Sequence, residues 1–163
     1  MKRCVPLSPF FLILFGISVH GFKIEEIKFQ DLSEPGFNQS GDMPLGINWG
    51  AVGVDNLNQV YILFGSNKDP EDCSLFRYNP ETETRKYLGS LRKTTHEQGT
   101  LWKGEELPKG HTPIVYMDGK MWFGTQNFHE ANRFTDLSRY HGSHLFSVDV
   151  HTGELIDHGQ YFP

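Results

Sequence analysis

An all-β fold is predicted for this 163-residue chain: about two four-stranded antiparallel meanders, preceded by leading strands. Three observations carry that expectation. The first is period. In the stretch His111–Gly159, Ile114 and Tyr116, then Met121 and Phe123, alternate with polar or small neighbours on either side of Asp118-Gly119. That dipeptide tolerates the positive φ that a two-residue hairpin demands. A second pair follows, Leu145–Val148 and Glu154–Ile156, around a turn at Val150–Gly153. The second observation is repetition. Val60-Tyr61-Ile62-Leu63-Phe64-Gly65-Ser66 lies over Lys120-Met121-Trp122-Phe123-Gly124-Thr125, with Phe64 on Phe123 at an offset of 59. Leu75–Thr82 lies over Leu145–Thr152 at an offset of 70, which holds to the pair Gly89 and Gly159. The copies match in their strands and differ by an insertion of eleven residues between the second and third, as repeats do when one end carries function. The third is turn chemistry, since both third strands run into an Asn/Asp-x-x-Thr turn.

In chain order, residues 1–21 read as a secretory signal peptide. They carry Lys2 and Arg3, an apolar run from Phe10 to Val19, and small residues at Val19 and Gly21. The run is shorter than the ~20 residues that cross a bilayer, so no stable membrane span is expected. Residues 22–48 read as a leading strand (Phe22–Phe29) and a Gly/Pro/Ser/Asn-rich loop. That loop contains the sequon Asn38-Gln39-Ser40, so Asn38 is a candidate glycosylation site in an exported protein. Residues 49–91 form the first repeat, 92–110 the connection, and 111–163 the second repeat. The connection, Leu91–Gly110, is expected to be a surface loop with one short strand around Thr100–Lys103, anchored by Leu101, Trp102 and Leu107. Its length points to function or mobility rather than plain linkage.

Charge and cysteine content narrow the partners. Removing Lys2 and Arg3 with the leader takes the net charge from −5 to −7, and Lys and Arg are nowhere clustered, so nucleic acid is an unsuitable partner. Cys4 leaves with the leader. Cys73, in the polar stretch Asn67–Ser74, is then a lone cysteine with a missing partner or a free thiol. Stability must come from burial, to which aromatics at 13% of the chain are suited.

Topology sorts the polar residues. In a meander, the loop between the second and third strands leaves from the same end as the connection between units. Asn127–Ser143 and Leu91–Gly110 are therefore expected at one end, with His96, His111, Gln126, His129, Glu130, His141 and His144 along them or at the adjoining strand entrances. Neutral imidazoles with a glutamine or glutamate suit a first-row divalent metal ion, or a base active near neutral pH. The candidate metal set is His111, Gln126, His129, His141 and His144. As loop residues, His129 and His144 should be removable at little thermal cost. Trp102, Asn127 and Tyr140 are candidate ligand-binding residues on which a saccharide could stack or bond, whereas Trp122 is expected to pack between the repeats. No zinc-protease motif, phosphate loop or G-x-S-x-G elbow occurs.

The runs G-H-T-P-I-V, D-G-K-M-W-F-G-T-Q and H-L-F-S-V-D-V-H-T-G-E resemble blades of extracellular β-propellers of the Kelch-like and quinoprotein-like type, over residues 46–163. The histidine-bearing end is more loosely similar to oligogalacturonate lyase-type propellers. In that family histidines and a glutamine hold a divalent metal, but no ligand carries over position by position. The resemblance implies a partial β-propeller, secreted, of about two blades. Two blades do not close a ring, so this chain is expected to be the N-terminal part of a longer protein, a member of an assembly, or a small open domain. Binding of a saccharide or another polar extracellular ligand is the leading expectation. The alternatives are a metal-assisted polysaccharide lyase or related enzyme, and a scaffold that binds another protein.

Overall fold

In the computed structural model, the described residues are Asn48, 50–66, 72–102, 105–128 and 142–161. The expected leading strand, the leader and Asn38 lie outside them. Two antiparallel sheets and one short helix make up the described part. The first sheet is the meander β1 (Val52–Val54), β2 (Val60–Ser66), β3 (Asp72–Asn79) and β4 (Thr84–Ser90), in that spatial order. The chain then forms α1 (Leu91–Glu97). The second sheet contains β5 (Glu106–Gly110), β6 (Val115–Met117), β7 (Lys120–Phe128), β8 (Ser143–Asp149) and β9 (Leu155–Tyr161). Its order is β5-β7-β8-β9, with β6 also beside β7.

β5 and β6 are two halves of one broken first strand. β5 pairs with the far half of β7, Gly110 opposite Thr125 and Glu106 opposite Phe128, while β6 pairs Val115 with Trp122 and Met117 with Lys120. Pro113 lies in the break and has no N–H for the ladder. Beside it Thr112 Oγ1 accepts from Gly124 N at 2.7 Å, in the place of a strand carbonyl. Ile114 meanwhile donates its N–H to Val52 O in the first sheet at 3.2 Å.

The connection is the main departure from the expected organisation. Where a loop with a strand near Thr100 was expected, a helix follows β4 directly and β5 belongs to the second sheet's ladder. The helix is too short to show an apolar period, and its nucleus is tertiary. Ser90 is its N-cap, accepting from Lys93 N at 2.9 Å, and its hydroxyl donates to the buried Asp72 carboxylate. Asp72 Oδ1 accepts from Arg92 N at 3.0 Å, a second cap supplied from β3. Ser90→Ala is expected to cost about 1–2 kcal/mol, because it removes one cap and leaves Asp72 short of a donor. Urea unfolding of parent and variant checks it.

The turns follow local chemistry. Asp118 and Gly119 have φ of 51° and 77°, the conformation expected of that hairpin. Asn79 Oδ1 accepts from Glu81 N and Thr82 N, and Asp149 Oδ1 accepts from His151 N and Thr152 N, so the same side-chain-closed turn recurs 70 residues apart. The strand registers differ more. Phe64 stands opposite Ser74, whereas its aligned counterpart Phe123 stands opposite Phe146 and stacks on it at 5.6 Å. The second pairing has slid by two residues, an even step that leaves every side chain on its own face.

The core lies between the sheets. Tyr61, Leu63, Cys73 and Leu75 face Met121, Phe123, Phe146 and Val148, with Leu91 and Leu107 from the connection closing one end. Two glycines permit close approach. A Cβ on Gly53 would fall 2.0 Å from the Ile114 carbonyl oxygen, and one on Gly110 would fall 2.2 Å from Leu63 Cδ1. Arg77 Nη1 donates across the gap to Val150 O at 2.8 Å. Cys73 lies in β3 and not in a loop. It is buried and free, and burial pushes its thiol up to about 12, so it is poorly placed for disulfide exchange. Trp122 does not pack between the sheets. It lies on the outer side of the second sheet, stacked on His158 at 4.8 Å.

Candidate functional site

The ends of β2 and β7, the starts of β3 and β8, and the whole connection come together at one end of the sheets, as the pairing of Glu106 with Phe128 requires. Two constellations stand there. The first is a pocket of about 330 Å³ lined by Asp72, Ser90, Arg92, Lys93, His96 and Leu101. Asp72 forms its buried floor. Burial raises the pKa of this carboxyl, and the Ser90 hydroxyl, the Arg92 and Cys73 amides and the Arg92 charge only partly offset that rise. The cationic residues Arg92 and Lys93, together with His96, come from one helix and follow the buried cap. Lys93 also lies 3.8 Å from Glu97, an exposed pair of little energetic weight.

The second constellation is buried. His144, near the start of β8, is 1% exposed. Its Nδ1 is 2.7 Å from Asp157 Oδ2 in β9, and its Nε2 is 3.2 Å from Glu105 Oε1, just before β5. A bulge between His144 and Phe146 lets Asp157, which pairs with Phe146, reach the ring. The remaining carboxylate valences are met. Gln160 Nε2 donates to Glu105 Oε1 at 2.7 Å and Trp102 N to Oε2 at 3.1 Å. Thr100 Oγ1 donates to Asp157 Oδ2 at 2.5 Å and Gly159 N to Oδ1 at 2.9 Å. Burial disfavours the His144 charge, yet the bonds to Asp157 and Glu105 outweigh it and push the imidazole up to about 9. Burial likewise raises both carboxyls, and the imidazolium more than reverses this, so each is lowered. The result is an imidazolium clamped between two carboxylates, tying the connection to the second sheet. Thr100 belongs to this clamp and its neighbour Leu101 lines the pocket, so the clamp holds the pocket wall.

No protein-family model, curated protein or solved structure matches the chain.

The expected site residues are distributed as follows. His144 has both ring nitrogens against carboxylates and none left for a metal ion. Gln126 lies one residue beyond Thr125, the residue that bonds His144 N, so strand alternation turns Gln126 to the opposite face. His111 is exposed at the β5–β6 break. These three are therefore not brought into one ligand set. His129, His141 and Tyr140 lie outside the described residues, and Asn127 is the penultimate residue of β7. Among the described residues, no group of three or more His, Cys, Asp or Glu is placed to hold a metal ion. Trp102 is 48% exposed at this end, its main chain bonded to Glu105. Among the described residues no helix is long and apolar enough to cross a membrane.

Sequence reasoning placed Arg92, Lys93 and Glu105 at this end with the rest of the connection but did not single them out as site residues, and it missed Asp72 and Asp157. The strongest available signal was the 70-residue offset, which sets His144 over Ser74. Ser74 lies inside the strand repeat, so the offset places His144 in a strand and not in a loop.

Proposed function

We propose that the two sheets are propeller-type blades of a secreted protein, and that their loop end binds a polar extracellular ligand carrying a carboxylate, such as an acidic saccharide. The observation that carries this reading is the pocket between α1 and the end of the first sheet, with Arg92, Lys93 and His96 around a preorganised floor. A guanidinium and an ammonium on one short helix suit an anionic group, and the exposed Trp102, next in sequence to the pocket-lining Leu101, offers a ring for the apolar face of a sugar. The buried clamp supports the same reading by fixing the segment that carries Leu101 and Trp102 before ligand arrives.

Calorimetric titration with uronic-acid oligosaccharides and neutral oligosaccharides of equal length tests it. Acidic sugars are expected to bind, more weakly as salt rises. The Arg92→Gln/Lys93→Gln chain is expected to lose roughly tenfold in affinity, about 1.4 kcal/mol. Equal affinity for neutral and acidic sugars, or an unaltered affinity in the double variant, removes this reading.

A further inference from the structure

The outward face of the first sheet is sealed, and no described element seals it. Tyr61, Leu63, Cys73 and Leu75 fill the core, so strand alternation turns Ile62, Phe64, Ser74, Phe76 and Tyr78 to the other side. Arg85 and Tyr87 of β4, which pair with Tyr78 and Phe76, share that side. Along β3 the exposures are 0% at Ser74, 1% at Phe76 and 7% at Tyr78. Phe64 and Tyr87 stand edge-on to the Phe76 ring at 5.8 and 5.4 Å, but both belong to the same sheet and cover only its flanks. The second sheet supplies the comparison: Trp122 and Leu145, equally central on its outward face, remain half-buried. The other elements packed on the first sheet are α1, β5 and β6. None lies outside it, since Leu91 of α1 and Leu107 of β5 are core residues and Ile114, just before β6, meets the inward-facing Gly53.

The cover is local. Val52 and Val54 of β1 stay exposed on the same side, so it lies over β3 and leaves the β1 edge open. The chain that precedes β1 arrives at this edge. Asn48 Nδ2 donates to Leu63 O at 2.9 Å and Gly50 N to Asn48 Oδ1 at 2.7 Å, which fixes the entry of residues 22–47 beside β2. Within that length the apolar residues concentrate in Phe22-Lys23-Ile24-Glu25-Glu26-Ile27-Lys28-Phe29. Eight extended residues span about 26 Å, twice the ~13 Å from Ser74 to Tyr78. Charge matches as well, since Arg85 is the ionic residue beside Tyr78 on this face and the segment brings Glu25-Glu26. Asn67–Glu71, between β2 and β3, hold no apolar side chain apart from Pro70 to lay on the rings. Residues 129–141 are anchored at both ends in the second sheet, by β7 and β8.

We infer that Phe22–Phe29 dock across β3 on the outward face of the first sheet, with their apolar residues on the surface of Phe64, Phe76 and Tyr78 and Glu25-Glu26 beside Arg85. The inference is independent of the ligand reading, since it uses only this face and the segment that leads to it. It makes the first sheet a capped end of the stack. End units of repeat arrays carry such covers, because a bare apolar face invites association. Removal of residues 1–21 leaves the cap in place, whereas a cut after Phe29 takes it away and bares the aromatic surface.

Nitration of the full chain by tetranitromethane, read tyrosine by tyrosine by mass spectrometry, tests this. In the parent, Tyr78 is expected to be protected while the exposed Tyr116 and Tyr161 react. In the Ile24→Asp/Ile27→Asp chain, nitration of Tyr78 is expected to rise several-fold. Tyr61, wholly buried in the core, should stay protected there and so report an intact fold. The Phe134→Asp/Leu137→Asp chain, altered between β7 and β8, is expected to keep Tyr78 protected. Charge reversal adds an arm that spares the apolar contacts. Arg85→Glu alone and Glu25→Lys/Glu26→Lys alone should each expose Tyr78, and the combined chain should regain protection. Tyr78 that reacts in the parent, or stays protected in the Ile24→Asp/Ile27→Asp chain, overturns the proposal. Exposure by the Phe134→Asp/Leu137→Asp chain instead assigns the cover to residues 129–141 and overturns it equally, as do charge reversals without rescue. A chain in which Tyr61 reacts as fast as Tyr78 has unfolded, and the charge-reversal arm then decides alone.

Discussion

His144→Ala is expected to lower stability by about 3–5 kcal/mol, because it leaves two buried carboxylates without the cation between them. For a domain of this size that lowers Tm by about 10 °C or more. A loop histidine, as the sequence suggested, would have cost almost nothing. The pH dependence separates a lost charge from a lost packing contact. The folded pKa of His144, about 9, stands above its ordinary value of 6.5, so its contribution is complete below about pH 6.5 and is lost as pH rises through 9. The loss amounts to about 3 kcal/mol, with each pKa unit worth about 1.4 kcal/mol. Glu105 and Asp157 are depressed, so their contributions are present above their ordinary values, near pH 4, and disappear as pH falls through the lowered ones. Urea unfolding of the parent should give highest stability between about pH 5 and 6.5, and a decline toward pH 9 that His144→Ala lacks. A parent and variant with parallel profiles over pH 6.5–9 would falsify the clamp.

Gly53→Ala should be the other severe substitution. The added Cβ would sit 2.0 Å from the Ile114 carbonyl oxygen, and 2.7 Å from its carbon, both of them backbone atoms. Ile114 N is already bonded to Val52 O, so the two strands cannot part without losing the link between sheets. Overpacking of this kind costs about 3 kcal/mol or more when backbone must move. Gly110→Ala is the informative comparison. Its nearest contacts are Leu63 side-chain atoms, Cδ1 at 2.2 Å. Part of that clash can be relieved by a rotamer change, so the loss should be smaller. Thermal unfolding of both chains checks the order; equal losses would mean that the sheets slide freely past one another.

These expectations show how unevenly the sequence discloses structure. The Asp118-Gly119 hairpin and the Asn79 and Asp149 turns were legible because their conformation is set within four residues. The strands were legible because alternation and the repeat are one-dimensional signals. The helix was not, since one of its two caps, Asp72, comes from a strand 20 residues away from the amide it caps. The two-residue slip between Phe64 and Phe123 was equally hidden, because an even slip leaves the apolar pattern unchanged.

By itself the sequence determined that this part of the chain is all-β, that it holds two meanders, and that its long connections leave from one end. Period, turn residues and strand order are properties of neighbours along the chain. Only the tertiary structure decided what the polar residues at that end do. It closed His144 between Asp157 and Glu105, turned Gln126 to the other face, and made a pocket from Arg92, Lys93 and His96 over Asp72. Whether a histidine is a solvated loop residue or a buried cation depends on partners 13 and 39 positions away, and neither spacing carries a local signal.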